Sequence, residues 1–181
     1  MKKGLFTAMI LILLFSFLSG CFNATNGDKG EEFVFTALDG SQIRLSDYRG
    51  KIVILDMWAT WCSPCHAVMP ELKKIYDYYT RDDLEIMSVD IDTRESVQLI
   101  QSFIEWFEDQ YETELNWIFG QDDGSISEKY MNESAIPTLA VFDQVGRLRY
   151  RKAGVHVFKE VPEGFPEDTP MLAPILDELI S

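Results

Sequence analysis

Cys62 and Cys65, in the run Trp61-Cys62-Ser63-Pro64-Cys65, are the residues of this chain best placed to do chemistry. Ahead of them lies the apolar run Ile52-Val53-Ile54-Leu55, and after them apolar residues recur at helical spacing, so the pair sits where a strand gives way to a helix. The thiolate is the reactive form of cysteine. A helix N-terminus lowers a thiol's pKa through its partial positive charge and free N–H groups. Cys62 is therefore expected to be exposed and to attack first. Cys65, one turn on and more buried, is expected to attack the mixed disulfide that Cys62 has formed. The chemistry is dithiol–disulfide exchange.

The second step needs a base. Asp56 stands among Ile54, Leu55 and Met57, and burial raises a carboxyl's pKa by desolvation. It is the candidate acceptor of the Cys65 proton, through water; the alternative is an aspartate at a strand end that reaches solvent. No lysine stands on the neighbouring run 86–91 to pair with it. His66 reads as a solvent-facing helix residue, and His156 has no partner that the sequence reveals.

The elements that must hold these residues follow from pattern. The chain has 181 residues, 46% of them hydrophobic, which suits one domain with a sizeable core. Residues 33–38 and 42–45, around Asp39-Gly40, read as a hairpin, and 52–57 and 84–91 as strands. Helical spacing predicts helices over 63–79, with a kink at Pro70, over 96–111, over 125–131 and over 173–180. Residues 115–119 form a short strand candidate, and 139–142 with 148–153 a second hairpin around Asp143-Gln144-Val145-Gly146. The layout is α/β with a mixed sheet.

The start of the chain is different. Lys2 and Lys3 precede the apolar run 5–17, and Leu18-Ser19-Gly20-Cys21 follows, the pattern of a secretory signal. An uncleaved anchor helix is the alternative, and both place the domain outside the cytoplasm at a membrane. Residues 22–32 are polar and read as a flexible tether, leaving 33–181 as the domain. With Cys21 set aside, no cysteines remain for a long-range staple, and a bridge across three residues restrains little of the unfolded chain. A formal net charge of −14 argues against nucleic acid as a partner.

Residues 55–65, Leu-Asp-Met-Trp-Ala-Thr-Trp-Cys-Ser-Pro-Cys, resemble the active-site strand and helix start of thioredoxins. Ile136-Pro137-Thr138 is similar to the family's cis-proline loop, and Gly146 and Gly154 fall where its last hairpin has glycines. Leu18-Ser19-Gly20-Cys21 resembles the lipobox of prokaryotic lipoproteins. Together with the leading hairpin and an insertion around 93–127, it resembles the membrane-anchored TlpA/ResA branch. The resemblance implies a thioredoxin fold over 33–181, a mixed central sheet flanked by helices, with the N-terminal hairpin and central insertion. It implies a cis bond at Pro137 and a substrate strand pairing beside Ile136. It also implies substrate contacts from Trp61, Ser63, Pro64, Ile136 and Thr138, with Trp58 as core. Asp56 matches the buried acid of thioredoxins, and Cys21 the lipidated residue.

One position departs from the branch. Its cytochrome-maturation members commonly carry an acid three residues after the second cysteine, where this chain has Val68, so apocytochrome as substrate does not carry over. The function expected is an extracytoplasmic, lipid-anchored thiol–disulfide oxidoreductase acting on protein thiols and disulfides, with a membrane electron-transfer partner. Ser63-Pro64 lacks the histidine of strongly oxidising relatives, which favours a reductase. An oxidase or isomerase of the same fold is the alternative. A copper-delivery module is a further one, although such relatives use a wider cysteine spacing, and neither a metal nor a cofactor is expected.

Overall fold

Every residue of Ile52–Trp58 is buried, and a strand buried along its whole length has to lie in the middle of a sheet covered on both faces. This strand is β3. The computed structural model describes residues 30–131 and 133–181, so Cys21, the apolar leader and residues 22–29 of the expected tether lie outside the described residues. Around β3 are β1 (Val34–Ala37), β2 (Gln42–Arg44), β4 (Leu84–Asp90), β5 (Ile118–Gln121), β6 (Thr138–Phe142) and β7 (Leu148–Ala153). They form one mixed sheet in the order β2-β1-β5-β4-β3-β6-β7. β3 runs parallel to β4 and antiparallel to β6, and β4 runs parallel to β5.

The connections follow from those directions. Parallel neighbours need a crossover, and helices α1 (Ser63–Tyr78) and α2 (Val97–Tyr111) supply the two. A short helix α3 (Ser125–Tyr130) precedes β6, and α4 (Ala173–Ile180) closes the chain. The Ser96 hydroxyl caps α2 by accepting from the Leu99 N–H at 3.2 Å. α1 remains one helix through Pro70.

Alternation along β3 divides the core in two. Ile52, Ile54 and Trp58 join Leu72 and Ile75 of α1, Ile100 and Phe107 of α2, and Leu176 of α4. Val53, Leu55 and Met57 face the other way, into a cluster with Phe35, Leu45 and Tyr130. Asp56 shares the parity of Ile54 and Trp58. Its carboxyl is therefore directed to the helical face, where Cys62 and Cys65 also lie.

Two boundaries differ from expectation. The strand expected over 115–119 is β5, two to three residues later, because Leu115 and Trp117 spend their side chains in the core and the Leu115 N–H donates to Glu108 Oε1 at 2.6 Å. Glu31, expected in the tether, is bound to the domain: its N–H donates to Gly146 O at 2.7 Å and its carboxylate pairs with Lys129 at 2.6 Å.

The leading hairpin adds β1 to the sheet at Gly120, which pairs with Ala37. A Cβ at Gly120 would lie 2.4 Å from the Phe35 ring and 2.5 Å from Thr36 O. Gly120→Ala should therefore push β1 off the edge and cost about 1–3 kcal/mol in denaturant unfolding, as overpacking does. An unchanged midpoint would show that the hairpin yields freely.

Candidate active site

Because β3 and β4 are parallel, both end at the same edge of the sheet, and the site is built there. From β3 the chain passes through Ala59, Thr60 and Trp61 into α1, whose N-cap is Cys62. The Cys65 N–H, in the first turn, donates to Cys62 Sγ at 3.3 Å. Pro64 fits that turn because its missing N–H would have had no helical partner. The sulfurs are joined, with an S–S distance of 2.08 Å, so this is the oxidised state. Cys62 belongs to the apolar cluster and is only 3% exposed in this state, against the exposure expected from sequence. Cys65 is 1% exposed. Trp61, Ser63 and Pro64 are the exposed residues around the pair.

The loop before β6 comes against the same cluster. The Ile136–Pro137 peptide is cis, and Ile136 packs on the cluster that contains both cysteines. The loop is held by the Thr138 hydroxyl donating to Ala135 O at 2.6 Å and by the Gly154 N–H donating to Pro137 O at 2.8 Å. Below it lies His156, wholly buried. Its Nδ1 is 2.8 Å from Gly154 O and its Nε2 is 3.0 Å from the Tyr150 hydroxyl. Burial pushes the imidazole down to about 4, so at neutral pH Nδ1–H donates to the carbonyl and Nε2 accepts from the tyrosine. With both nitrogens engaged, His156 ties the end of β7 to the turn that follows it.

Asp56 is 1% exposed and sits opposite Ser88 in the β3–β4 register. The Ser88 hydroxyl donates to Asp56 Oδ2 at 2.8 Å and accepts from the Trp117 indole N–H at 3.0 Å. Burial pushes the carboxyl up to about 7, and the Ser88 hydrogen bond opposes that rise. A group with that affinity exchanges a proton at neutral pH. Ser88 and Trp117 escaped the sequence reading, which looked for a charged partner. The signal available was a small polar residue, Ser88, between Met87 and Val89 on the strand expected beside β3.

The rim holds further acids that the sequence reading did not single out. Asp92 accepts from the Trp61 indole N–H at 2.9 Å, and Arg94 beside it, with Trp61, holds its carboxyl well below the usual range. Glu95 accepts from the Thr60 N–H at 3.1 Å and from the Thr60 hydroxyl at 2.5 Å. Asp90 is fully buried, and burial, followed by the neighbouring Glu95, raises its pKa. These bonds tie the Thr60–Trp61 approach to the end of β4. His66 is half-buried, where exposure was expected. Its Nε2 is 3.0 Å from Thr60 O and its ring lies 4.8 Å from that of Phe103, because the insertion helix α2 covers this side of α1.

Relatives share both the sequence and the fold. Residues 26–151 match the model of the AhpC/TSA family. The thiol-disulfide oxidoreductase ResA of Bacillus cereus is 30% identical over 94% of this chain and all of its own length. Among solved structures, the pneumococcal exposed lipoprotein thioredoxin of Streptococcus pneumoniae matches 82% of this chain and 100% of its own, at 29% identity and a TM-score of 0.59. A thiol-disulfide isomerase from Corynebacterium glutamicum, 19% identical, shares the fold over 85% of this chain and 98% of its own, with a TM-score of 0.61. With its cysteine pair at the start of α1 and a thioredoxin-like sheet behind it, the chain belongs to the AhpC/TSA family as a thiol–disulfide oxidoreductase.

Proposed function

We propose that this oxidoreductase works as a reductase of protein disulfides outside the cytoplasm, held at a membrane by lipid on Cys21. The observation that carries the direction is the surroundings of Cys62. Its sulfur receives the Cys65 N–H, and the intervening Ser63-Pro64 offers no cationic side chain to stabilise a thiolate further. A less stabilised thiolate makes the dithiol the better electron donor.

In this reading reduced Cys62 attacks a client disulfide, releasing one client thiolate and leaving the client joined to Cys62. Cys65 then gives its proton to Asp56 through water, and its sulfur attacks Cys62. The Cys62–Cys65 bond forms, the Cys62–client bond breaks, and the second client sulfur leaves with the electron pair. The client gains two electrons and the dithiol loses them, so a membrane electron donor must restore it. A client strand would align along the Ile136 backbone, beside Trp61, Ser63, Pro64 and Thr138. Such docking is supported by the exposure of Trp61, which is 60% accessible beside the cysteine pair.

Cys65→Ser should accumulate mixed disulfides with client proteins and Cys62→Ser should not, as resolved by non-reducing electrophoresis. Clients trapped through Cys65 in the Cys62→Ser protein would reverse the roles. No helix among the described residues is long and apolar enough to cross a membrane, and anchoring rests on Leu18-Ser19-Gly20-Cys21. Mass spectrometry of the mature N-terminus should find Cys21 acylated as residue one, with more than one chain, since a single short chain binds only marginally. An unmodified Cys21 would exclude the anchor.

Asp56→Asn should leave the attack by Cys62 intact and slow resolution, by up to about 10²–10⁴-fold where water does not substitute. Its effect on stability has a definite sign. The folded carboxyl holds its proton to about 7, the unfolded one only to about 3.8, so the native state binds the extra proton between them. Wild-type stability is therefore full below about pH 4 and declines towards pH 7. Asp56→Asn should remove this part of the decline and be more stable than wild type at pH 8, by on the order of 4 kcal/mol. A variant with normal resolution and lower stability would make Asp56 a structural residue.

A further inference from the structure

We infer that Ser88 is a positioning residue for the resolving step: its hydroxyl, held as a donor by the Trp117 indole, occupies Asp56 Oδ2 and leaves Oδ1 as the oxygen that takes the Cys65 proton. The inference rests on the reading of Asp56 as the proton acceptor.

An indole N–H can only donate, and a serine hydroxyl has one proton to give. Trp117 donates to Ser88 Oγ at 3.0 Å, and the Ser88 proton is then directed along the 2.8 Å contact to Asp56 Oδ2. The opposite polarity, with a protonated Oδ2 donating to Ser88, would leave the Ser88 hydroxyl proton without an acceptor. Ser88 is 0% exposed, so such a loss would carry the full penalty of a buried unsatisfied donor. Oδ1, by contrast, is buried with no hydrogen-bond partner. A proton arriving there leaves the Ser88 bond unbroken in both charge states, and the transfer requires no rearrangement behind the carboxyl.

The triad comes from two neighbouring strands and the residue that leads into a third. Asp56 and Ser88 are register partners on β3 and β4, and Trp117 immediately precedes Ile118, which pairs with Met87. Asp90 lies two residues along β4, opposite Trp58. β6 presents Leu139 to Asp56 and contains no ionisable residue. From α1 the buried ionisable residues are Cys65 and Glu71, the latter accepting from the Phe158 N–H at 2.8 Å and pairing with Lys74. On α4, Asp177 accepts from the Tyr79 hydroxyl. The proton affinity of Asp56 is set by burial and by Ser88.

The test is a carbon-13 NMR titration of the Asp56 carboxyl in the reduced protein, alongside the pH profile of the resolving step by stopped flow. In Ser88→Ala the Asp56 midpoint should rise by about one pH unit, lowering its ionised fraction at pH 7 about fivefold, since a hydrogen bond to the charged form is lost. The rising limb of the resolution profile should move with it, and Ser88→Thr should restore both. Trp117→Phe should raise the midpoint by less, because Ser88 still donates to Oδ2 but without the polarisation that the indole N–H supplies. Unmoved midpoints in Ser88→Ala and Trp117→Phe, with resolution still abolished or slowed in Asp56→Asn, would overturn this inference and leave Asp56 as the acceptor. A wild-type resolution profile identical to that of Asp56→Asn would overturn both.

Discussion

The parallel register of β3 against β4 fixes where the rest of the site can lie. It sets Asp56 against Ser88 and Trp58 against Asp90, and it brings both strand ends to one edge of the sheet. The turn out of β3 becomes the start of α1, and the turn out of β4 becomes the acidic rim that holds Thr60 and Trp61. A slip of one residue would turn Asp56 to the other face, away from the cysteines. Register here is specified by two apolar clusters, one on each side of β3, so the chemistry depends on packing that contains no chemistry itself.

Three aspartates within this region show how environment divides one residue type among different duties. Asp56 is dry with one neutral donor, and its proton affinity sits near 7. Asp92 has Arg94 and the Trp61 indole, and it stays ionised. Asp90 is buried with an acidic neighbour and is pushed towards the neutral form. Asp90 shares the face of Asp56 and likewise has an oxygen with no protein partner, so what sets Asp56 apart is that its surroundings hold one neutral donor and no acidic neighbour. The other two stabilise the approach to Cys62 through hydrogen bonds to the loop, Asp92 directly and Asp90 by receiving the Asp92 N–H at 2.7 Å.

What could be read from the sequence was whatever depends on near neighbours in the chain. The spacing of Cys62 and Cys65 after an apolar run located the helix start, and Ile136-Pro137-Thr138 marked the loop that meets it. The apolar run on both sides of Asp56 gave its burial. What escaped depends on segments far apart in the chain. Ser88 and Trp117 are ordinary residues until strands β3, β4 and β5 align, and Tyr150 is a partner for His156 only because the end of β7 turns back over it. His66 looked solvent-facing because nothing local announces that the aromatic face of α2, with Phe103 and Trp106, will pack against it. Cys62 looked exposed because its place at a helix start says nothing of the apolar residues that distant segments pack around it.

The account's central claim is that Cys62–Cys65 donates electrons to protein disulfides. The most direct test is the reduction potential of that couple, from equilibration of the purified domain with defined thiol–disulfide buffers at pH 7. A couple near that of thioredoxin, about −270 mV, is the result predicted for a thiolate stabilised by a helix start alone. A value near that of a strong oxidant such as DsbA, about −120 mV, would contradict the account and make the protein a donor of disulfides.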